Sequence, residues 1–160
     1  MHARVQGSDE LVIEAAPERI WSVLEDSRNL PSWAPMVIST TGTQESVGSV
    51  RECEIDMEGK AGRVVEQCVE SDPAKRIAWS LKEDTFGFNK MLDNFGFAFE
   101  LEPQGENRTL VRTLSYYEPK NPLARVMNVL MMRRKFGSIR RRSLEGLLQV
   151  AESKTNAERS

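Results

Sequence analysis

The sequence predicts one α+β domain in which a curved antiparallel sheet of about seven strands packs against a long C-terminal helix. Three observations predict it: strict alternation of polar and apolar residues over 51–58, further alternating segments with short turns over 61–117, and a helical pattern over 122–152. With 160 residues, 39% of them hydrophobic, the chain is long enough to bury one core.

The N-terminal part is expected to form a short strand over 10–15 and then two short helices. Pro17 suits the first turn of a helix, where its missing N–H costs nothing. The apolar residues that follow recur at helical spacing, and a second helical turn over 29–33 ends before Pro35.

Polar and apolar residues alternate without a break over 51–58, so one face of this strand is expected to be buried and the other exposed to solvent. Its apolar residues Cys53, Ile55 and Met57 are predicted to point inward. A three-residue loop, 58–60, leads to a second strand over 61–71, and this register pairs Cys53 with Val65. It directs alternate residues of the second strand inward, from Ala61 through Arg63, Val65 and Gln67 to Val69.

The two cysteines are predicted to be free thiols. Cys68 lies three residues beyond the predicted partner of Cys53, about 10 Å away at 3.3 Å per residue, and points to the opposite face. A disulfide requires Cα atoms within about 7 Å. Free thiols agree with a reducing compartment.

Three more strands complete the predicted sheet, over 76–84, 91–102 and 109–117. Their inward residues include Trp79 on the first and four apolar residues on the second: Phe95, Phe97, Phe99 and Leu101. On the last strand, Arg112 points inward if Leu110, Leu114 and Tyr116, which lie on the same face, also point inward.

The C-terminal helix is predicted to begin at the cap Asn121 with Pro122 in the first turn, and to run to about Glu152. Its apolar residues are expected to form one stripe facing the sheet: Leu123, Val126, Met127, Leu130, Met131, Leu144, Leu147 and Leu148.

Composition argues against several kinds of chemistry. The formal net charge of −2 does not select a nucleic acid, and the only histidine, His2, lies at the terminus. One histidine and two distant thiols supply neither a zinc site nor a histidine base, so neither metal nor cofactor is expected. The chain lacks a secretion-signal pattern and an apolar run of about 20 residues, so we expect a cytoplasmic protein.

A basic run on the C-terminal helix has two interpretations. Six cations fall within ten residues: Arg133, Arg134, Lys135, Arg140, Arg141 and Arg142. They either make transient contact with an anionic membrane or form a solvated face that pairs with acidic residues of the strands.

The order of elements resembles the helix-grip fold of the START-like (SRPBCC) superfamily, especially its polyketide cyclase/dehydrase-like members. The similar segments are 13–24, Leu30-Pro31-Ser32-Trp33, Asp72-Pro73, and 117–120 leading into Pro122. The resemblance covers about 9–152, taken as one ligand-binding domain, with flexible tails at 1–8 and 153–160.

This resemblance implies a cavity between the concave sheet and the last helix that binds a small hydrophobic molecule such as a lipid, quinone or polyketide. The expected ligand-binding residues are Trp33, Met57, Val65, Trp79, Phe95, Phe97, Met127, Leu130 and Met131. Two alternatives stay open: a cyclase/dehydratase-like enzyme, and a membrane-docking or interaction module using the basic helix. For the enzyme, Arg63 or Arg112 would polarise a carbonyl and Tyr116 would act as the acid.

Aromatase/cyclase members of the family that this chain resembles place an arginine and a tyrosine in the pocket. This chain differs from them at both positions. In an approximate alignment, Val69 and Thr40 stand at those two positions here.

Overall fold

A computed structural model describes the backbone of residues 3–159 and the side chains of residues 3–153. Seven strands form one antiparallel sheet in the order β1-β7-β6-β5-β4-β3-β2, so the first strand pairs with the last. The strands are β1 (Val5–Ile13), β2 (Val37–Thr40), β3 (Val50–Met57), β4 (Lys60–Asp72), β5 (Arg76–Asp84), β6 (Leu92–Gly105) and β7 (Arg108–Pro119).

Helices precede β2 and follow β7, and a short one connects β5 to β6. They are α1 (Pro17–Leu24), a 3₁₀ turn (Ser27–Asn29), α2 (Leu30–Trp33), α3 (Phe88–Met91), α4 (Pro122–Met127), a π-helical segment (Asn128–Met132) and α5 (Arg133–Arg159). This is the α+β helix-grip architecture that the sequence predicts.

At both ends of the described chain, secondary structure extends beyond the bounds expected for the domain. Residues 5–8 belong to β1, because the strand pairs with β7 from Val5 onward. At the other end α5 continues through 153–159. His2 lies outside the described residues.

The hairpin between β3 and β4 has a two-residue loop instead of the predicted three. Glu58 and Gly59 both have positive φ, 55° and 89°, which is the backbone of a type I′ turn and matches the twist of the flanking strands. Met57 therefore pairs with Lys60, and Cys53 pairs with Val64 instead of Val65. Because side chains alternate, this shift of one residue turns every residue of β4 to the face opposite the predicted one.

Cys53 and Cys68 are free thiols, as predicted, and both are buried, whereas the predicted register turns Cys68 away from the core. In the observed register Cys68 lies four residues beyond Val64, the partner of Cys53, and faces the core as Cys53 does. The thiols are therefore separated by about 13 Å along the strand, too far for a disulfide.

The long helix is well specified at its start. The Asn121 side chain accepts a hydrogen bond from the Ala124 N–H at 2.8 Å, and Pro122 occupies the first turn. Further along, Gly146 allows close approach to α2, since a Cβ there would lie 2.0 Å from the Trp33 carbonyl oxygen.

The predicted single apolar stripe is wrong for the first turns of this helix. Leu144 and Leu147 are buried in the core, but five earlier apolar residues are more than half exposed: Leu123, Val126, Val129, Leu130 and Met131. The π segment between α4 and α5 changes the phase of the helix, so residues before and after it do not share one face. Within residues 3–159, no helix is both long and apolar enough to cross a bilayer.

Candidate functional site

A cavity of about 140 Å³ lies between the concave face of the sheet and the helices α2 and α5. Sixteen of its 22 lining residues are apolar: Leu30, Trp33, Ala34, Met36, Val37, Cys53, Ile55, Met57, Val64, Leu81, Phe88, Phe95, Phe97, Phe99, Phe136 and Ile139. The six polar ones are Arg51, Glu66, Thr113, Ser115, Arg140 and Ser143. An apolar cavity of about 150 Å³ is known to hold one benzene ring, so this space suits a ligand of about one ring.

The apolar wall is built from alternating positions on β3, β4 and β6. Ring pairs fix much of it, with Trp33 edge-on to Phe99 at 5.5 Å between centroids and Phe95 edge-on to Phe136 at 5.1 Å. The indole N–H of Trp33 is buried and has no hydrogen-bond partner among the described residues. An unsatisfied buried donor of this kind costs about 1–3 kcal/mol.

A buried ion pair forms part of the cavity wall. Nε of Arg51 donates to Oε2 of Glu66 at 2.8 Å, and their side chains are 2% and 11% exposed. The guanidinium also lies 4.3 Å from the ring centroid of Trp79, a cation–π contact. Arg51 therefore stays inside the protein instead of extending to water.

A serine connects this pair to a second carboxylate. Nη1 of Arg51 donates to Oγ of Ser27 at 2.9 Å, and that hydroxyl donates to Glu45. The other oxygen of Glu45 accepts from Ser49. These hydrogen bonds use Nε and Nη1 of Arg51 and leave Nη2 without a hydrogen-bond partner among the described residues, so Nη2 is available to an oxygen in the cavity.

The second cationic group in the wall is Arg140 of α5. Its Nε donates to Asp9 at 2.8 Å and its Nη1 donates to Ser115 at 2.9 Å. Gly7 provides the room for this contact, since a Cβ there would lie 2.5 Å from Nη2 of Arg140. The residue therefore joins α5 to β1 and β7 at the wall of the cavity.

Cys53 lines the cavity but is not poised to act as a nucleophile. Burial raises the pKa of its thiol above the ordinary value, and the nearby Glu66 carboxylate raises it further. Since the reactive form of a cysteine is the thiolate, this environment suppresses its reactivity. Within the described residues, no group of three or more His, Cys, Asp or Glu side chains is arranged to hold a metal ion.

Four of the predicted ligand-binding residues line the cavity: Trp33, Met57, Phe95 and Phe97. Trp79 is fully buried beside it, stacked on Phe97 at 5.3 Å and under Arg51.

The other four predicted ligand-binding residues lie elsewhere. Val65 is on the outer face of β4 because of the two-residue turn. Met127 packs partly buried beside Phe136 and Tyr117, while Leu130 and Met131 are 67% and 58% exposed. The phase change at the π segment accounts for these exposed positions.

The predicted catalytic candidates all lie on the outer face of the sheet. Arg63 is 45% exposed and pairs with Glu52 at 3.2 Å, and Gln67 shares its face. Arg112 pairs with Glu10 at 3.1 Å.

Tyr116 is buried in a small outer cluster, where its Oη accepts from Nη2 of Arg76 at 2.7 Å. On β7 the inward residues are therefore Thr113, Ser115 and Tyr117, the opposite alternation to the predicted one.

Sequence reasoning missed Glu66 and Arg140, the residues that give the cavity its polar character beside Arg51. The signal that could have found Glu66 is Gly59, which suits the second position of a two-residue type I′ turn, and this turn directs Glu66 inward next to Arg51. Arg140 had no comparable signal, because neither interpretation of the basic run, membrane contact or pairing with acidic residues of the strands, places one of its cations in the cavity wall.

Comparison with known proteins identifies one protein family and many solved structures with a similar fold. The family model described as "Polyketide cyclase / dehydrase and lipid transport" matches residues 4–152. No curated protein matches the chain in a sequence comparison.

Three solved structures illustrate the shared fold. A START superfamily protein from Mycobacterium smegmatis is 17% identical, with a TM-score of 0.73 over 94% of this chain and 99% of that one. The Zhui aromatase/cyclase from Streptomyces sp. R1128 is 17% identical, with a TM-score of 0.74 over 96% of each chain. The di-domain aromatase/cyclase BexL is 17% identical, with a TM-score of 0.76 over 96% of this chain and 48% of that one. At these identities the likeness establishes the fold alone.

Proposed function

The chain belongs to the polyketide cyclase/dehydrase and lipid transport family, and on that basis we propose that it binds a small hydrophobic molecule in the cavity between sheet and α5. The observation that carries the proposal is the composition of the cavity wall, which is mostly apolar with Arg51 and Glu66 on one side. Such a site suits a ligand with an apolar body and one or two oxygen atoms, as in a quinone or a phenol-like ring.

The volume sets the expected affinity. A one-ring ligand that buries about 200 Å² of apolar surface gains about 5 kcal/mol, which corresponds to a dissociation constant on the order of 0.2 mM. A lipid or polyketide needs more space, and the flexible side chains of Met36 and Met57 in the wall are suited to providing it. A reducing compartment such as the cytoplasm suits the protein, since both its cysteines are free thiols.

Adjacent valines on β4 provide the test. Val64 points into the cavity and Val65 points to the outer face, so Val64→Phe fills the ligand space while Val65→Phe adds the same volume outside it. We expect toluene and p-cresol to bind the wild type and Val65→Phe alike, and Val64→Phe at least about tenfold more weakly. Equal binding by both variants would contradict the proposal.

A comparison of the two probes tests the polar wall. The p-cresol hydroxyl is expected to contact Arg51 Nη2 or Glu66, so p-cresol should bind about tenfold more tightly than toluene, and the double variant Arg51→Met/Glu66→Leu, which removes both groups, should remove that difference. Native mass spectrometry of gently purified protein, with a displacement screen of fatty acids, quinones and polyketides, then identifies the natural class.

A second candidate function is a cyclase/dehydratase-like reaction, favoured by the ion pair in the cavity wall. Arg51 Nη2 would polarise a substrate carbonyl, and Glu66 would accept a proton from the adjacent carbon, with the cavity holding the chain in one conformation. Glu66→Gln preserves the shape of the side chain but removes the base. A product profile unchanged by Glu66→Gln and by Arg51→Met would exclude this reaction.

A further inference from the structure

The segment 119–144 carries eight Lys or Arg residues and no Asp or Glu, although the whole chain has a net charge of −2. Three of the eight pair with carboxylates: Lys120 with Asp93, and Arg140 and Arg141 with Asp9. The other five have no carboxylate partner among the described side chains: Arg125, Arg133, Arg134, Lys135 and Arg142. Two of these five, Lys135 and Arg142, line a cleft together with Asp56 and Glu58, which leaves Arg125, Arg133 and Arg134 as the cations with no carboxylate in an ion pair or in a shared cleft among the described residues.

The same segment exposes an unusual amount of apolar surface. Five apolar side chains of α4 and the π segment are between 54% and 72% exposed: Leu123, Val126, Val129, Leu130 and Met131. Single exposed apolar residues are ordinary, but a cluster of five within nine residues is typical of a surface that contacts another apolar phase.

The two features meet in one groove of about 520 Å³ outside the main cavity, between the π segment and the ends of β1 and β7. Its walls include three arginines and three of the exposed apolar residues: Arg4, Arg125, Arg133, Val126, Val129 and Leu130. Guanidinium groups in this setting bind phosphate oxygens well, since their planar N–H groups match the geometry of the anion.

We propose that this surface docks on an anionic phospholipid bilayer, with the arginines at the level of the headgroup phosphates and the apolar side chains in the acyl boundary. Cations beside exposed apolar residues on one helical face are what an interfacial helix presents to lipid. The proposal concerns a different surface from the ligand cavity and does not depend on what that cavity binds.

Other occupants fit the surface less well. A second copy of the chain would bring like-charged arginines together. An acidic peptide in the groove would satisfy Arg4, Arg125 and Arg133 but would leave Leu123 and Met131, which lie outside the groove walls, in water.

Vesicle sedimentation tests the docking surface directly. We expect wild-type protein to bind vesicles of phosphatidylcholine mixed with phosphatidylglycerol, in a manner weakened by salt, and to bind pure phosphatidylcholine vesicles much less. Replacing both Arg125 and Arg133 by Gln should lower the partition coefficient about 30-fold, from about 1 kcal/mol per charge. Replacing both Val129 and Leu130 by Ser should lower it at least about tenfold.

A matched control removes two cations elsewhere. Lys75 and Lys82 are exposed beside and within β5, and replacing both by Gln should leave vesicle binding unchanged. All the substituted side chains are exposed, so circular dichroism should show wild-type folding. Equal binding to both kinds of vesicle, or equal losses in the arginine and lysine variants, would overturn the proposal. So would a dimer in size-exclusion chromatography that the Val129 and Leu130 substitutions dissociate.

Discussion

Breaking the buried ion pair of Arg51 and Glu66 is predicted to destabilise the protein far more than breaking an exposed pair. Glu66→Leu leaves a guanidinium that is 2% exposed without its carboxylate. Removing one partner of a buried pair typically costs about 3–5 kcal/mol. We expect the lower end, about 3 kcal/mol, because Ser27 still links Arg51 to the charge of Glu45. This loss is a large fraction of a typical stability of about 5–15 kcal/mol.

Arg51→Met should be at least as damaging, because it leaves both Glu66 and Glu45 buried without a cation. The double variant Arg51→Met/Glu66→Leu should recover part of the loss, since it removes one of the two carboxylates that Arg51→Met leaves without a cation, while Glu45 stays buried without one. The expected order of stability therefore has wild type first and Arg51→Met last, with Glu66→Leu and the double variant between them.

Urea unfolding followed by tryptophan fluorescence measures each free energy, and a constant m-value confirms that the comparison is valid. The matched control is the exposed pair Arg112 and Glu10, whose side chains are 37% and 55% exposed; Glu10→Leu should cost no more than about 1 kcal/mol. If Glu66→Leu lowers the free energy of unfolding by as little as Glu10→Leu does, the ion pair is not the stabilising contact described above. A coupling energy between Arg51 and Glu66 below about 1 kcal/mol would refute the reasoning as well.

Two further predictions concern the helix contact and the thiols. Gly146→Ala should lower the unfolding free energy by at least about 3 kcal/mol, because its Cβ would lie 2.0 Å from the Trp33 carbonyl oxygen. Gly137→Ala on the same helix places its Cβ 3.2 Å from Nη1 of Arg141 and 3.4 Å from Nη2 of Arg140, which are ends of side chains and not backbone, so it should cost far less than Gly146→Ala; thermal unfolding of both variants distinguishes the two cases. Burial raises the pKa of Cys53 and of Cys68, so both thiols should react with a thiol reagent at about pH 8 only after urea unfolding, and fast reaction of the folded protein would contradict the cavity geometry. For both cysteines the pKa in the folded protein lies above the pKa in the unfolded chain. The stability gained by keeping these thiols protonated is therefore complete below about pH 8.5 and is lost as the pH rises further.

The sequence predicts the architecture well because the fold depends on long repeated patterns. The alternation of Cys53, Ile55 and Met57, the aromatic residues of β6 and the Asn121-Pro122 start of the last helix each specify an element locally. These signals need no knowledge of distant contacts.

The cavity is less predictable because it depends on small shifts of phase. One residue fewer in the Glu58-Gly59 turn moves Glu66 inward and Val65 outward. One π segment in the last helix moves Leu130 and Met131 from the expected cavity to the surface. Errors of one residue leave the fold unchanged but exchange one set of site residues for another.

Methyl NMR during titration with p-cresol tests the central claim most directly, since it locates the ligand at about millimolar concentrations. We expect shifts in the methyl signals of residues that line the cavity, Ile55, Val64 and Leu81, and none at Val65 or Leu130. Shifts confined to Val65, Leu130 or other outer residues would mean that the space between sheet and helix is not a binding site.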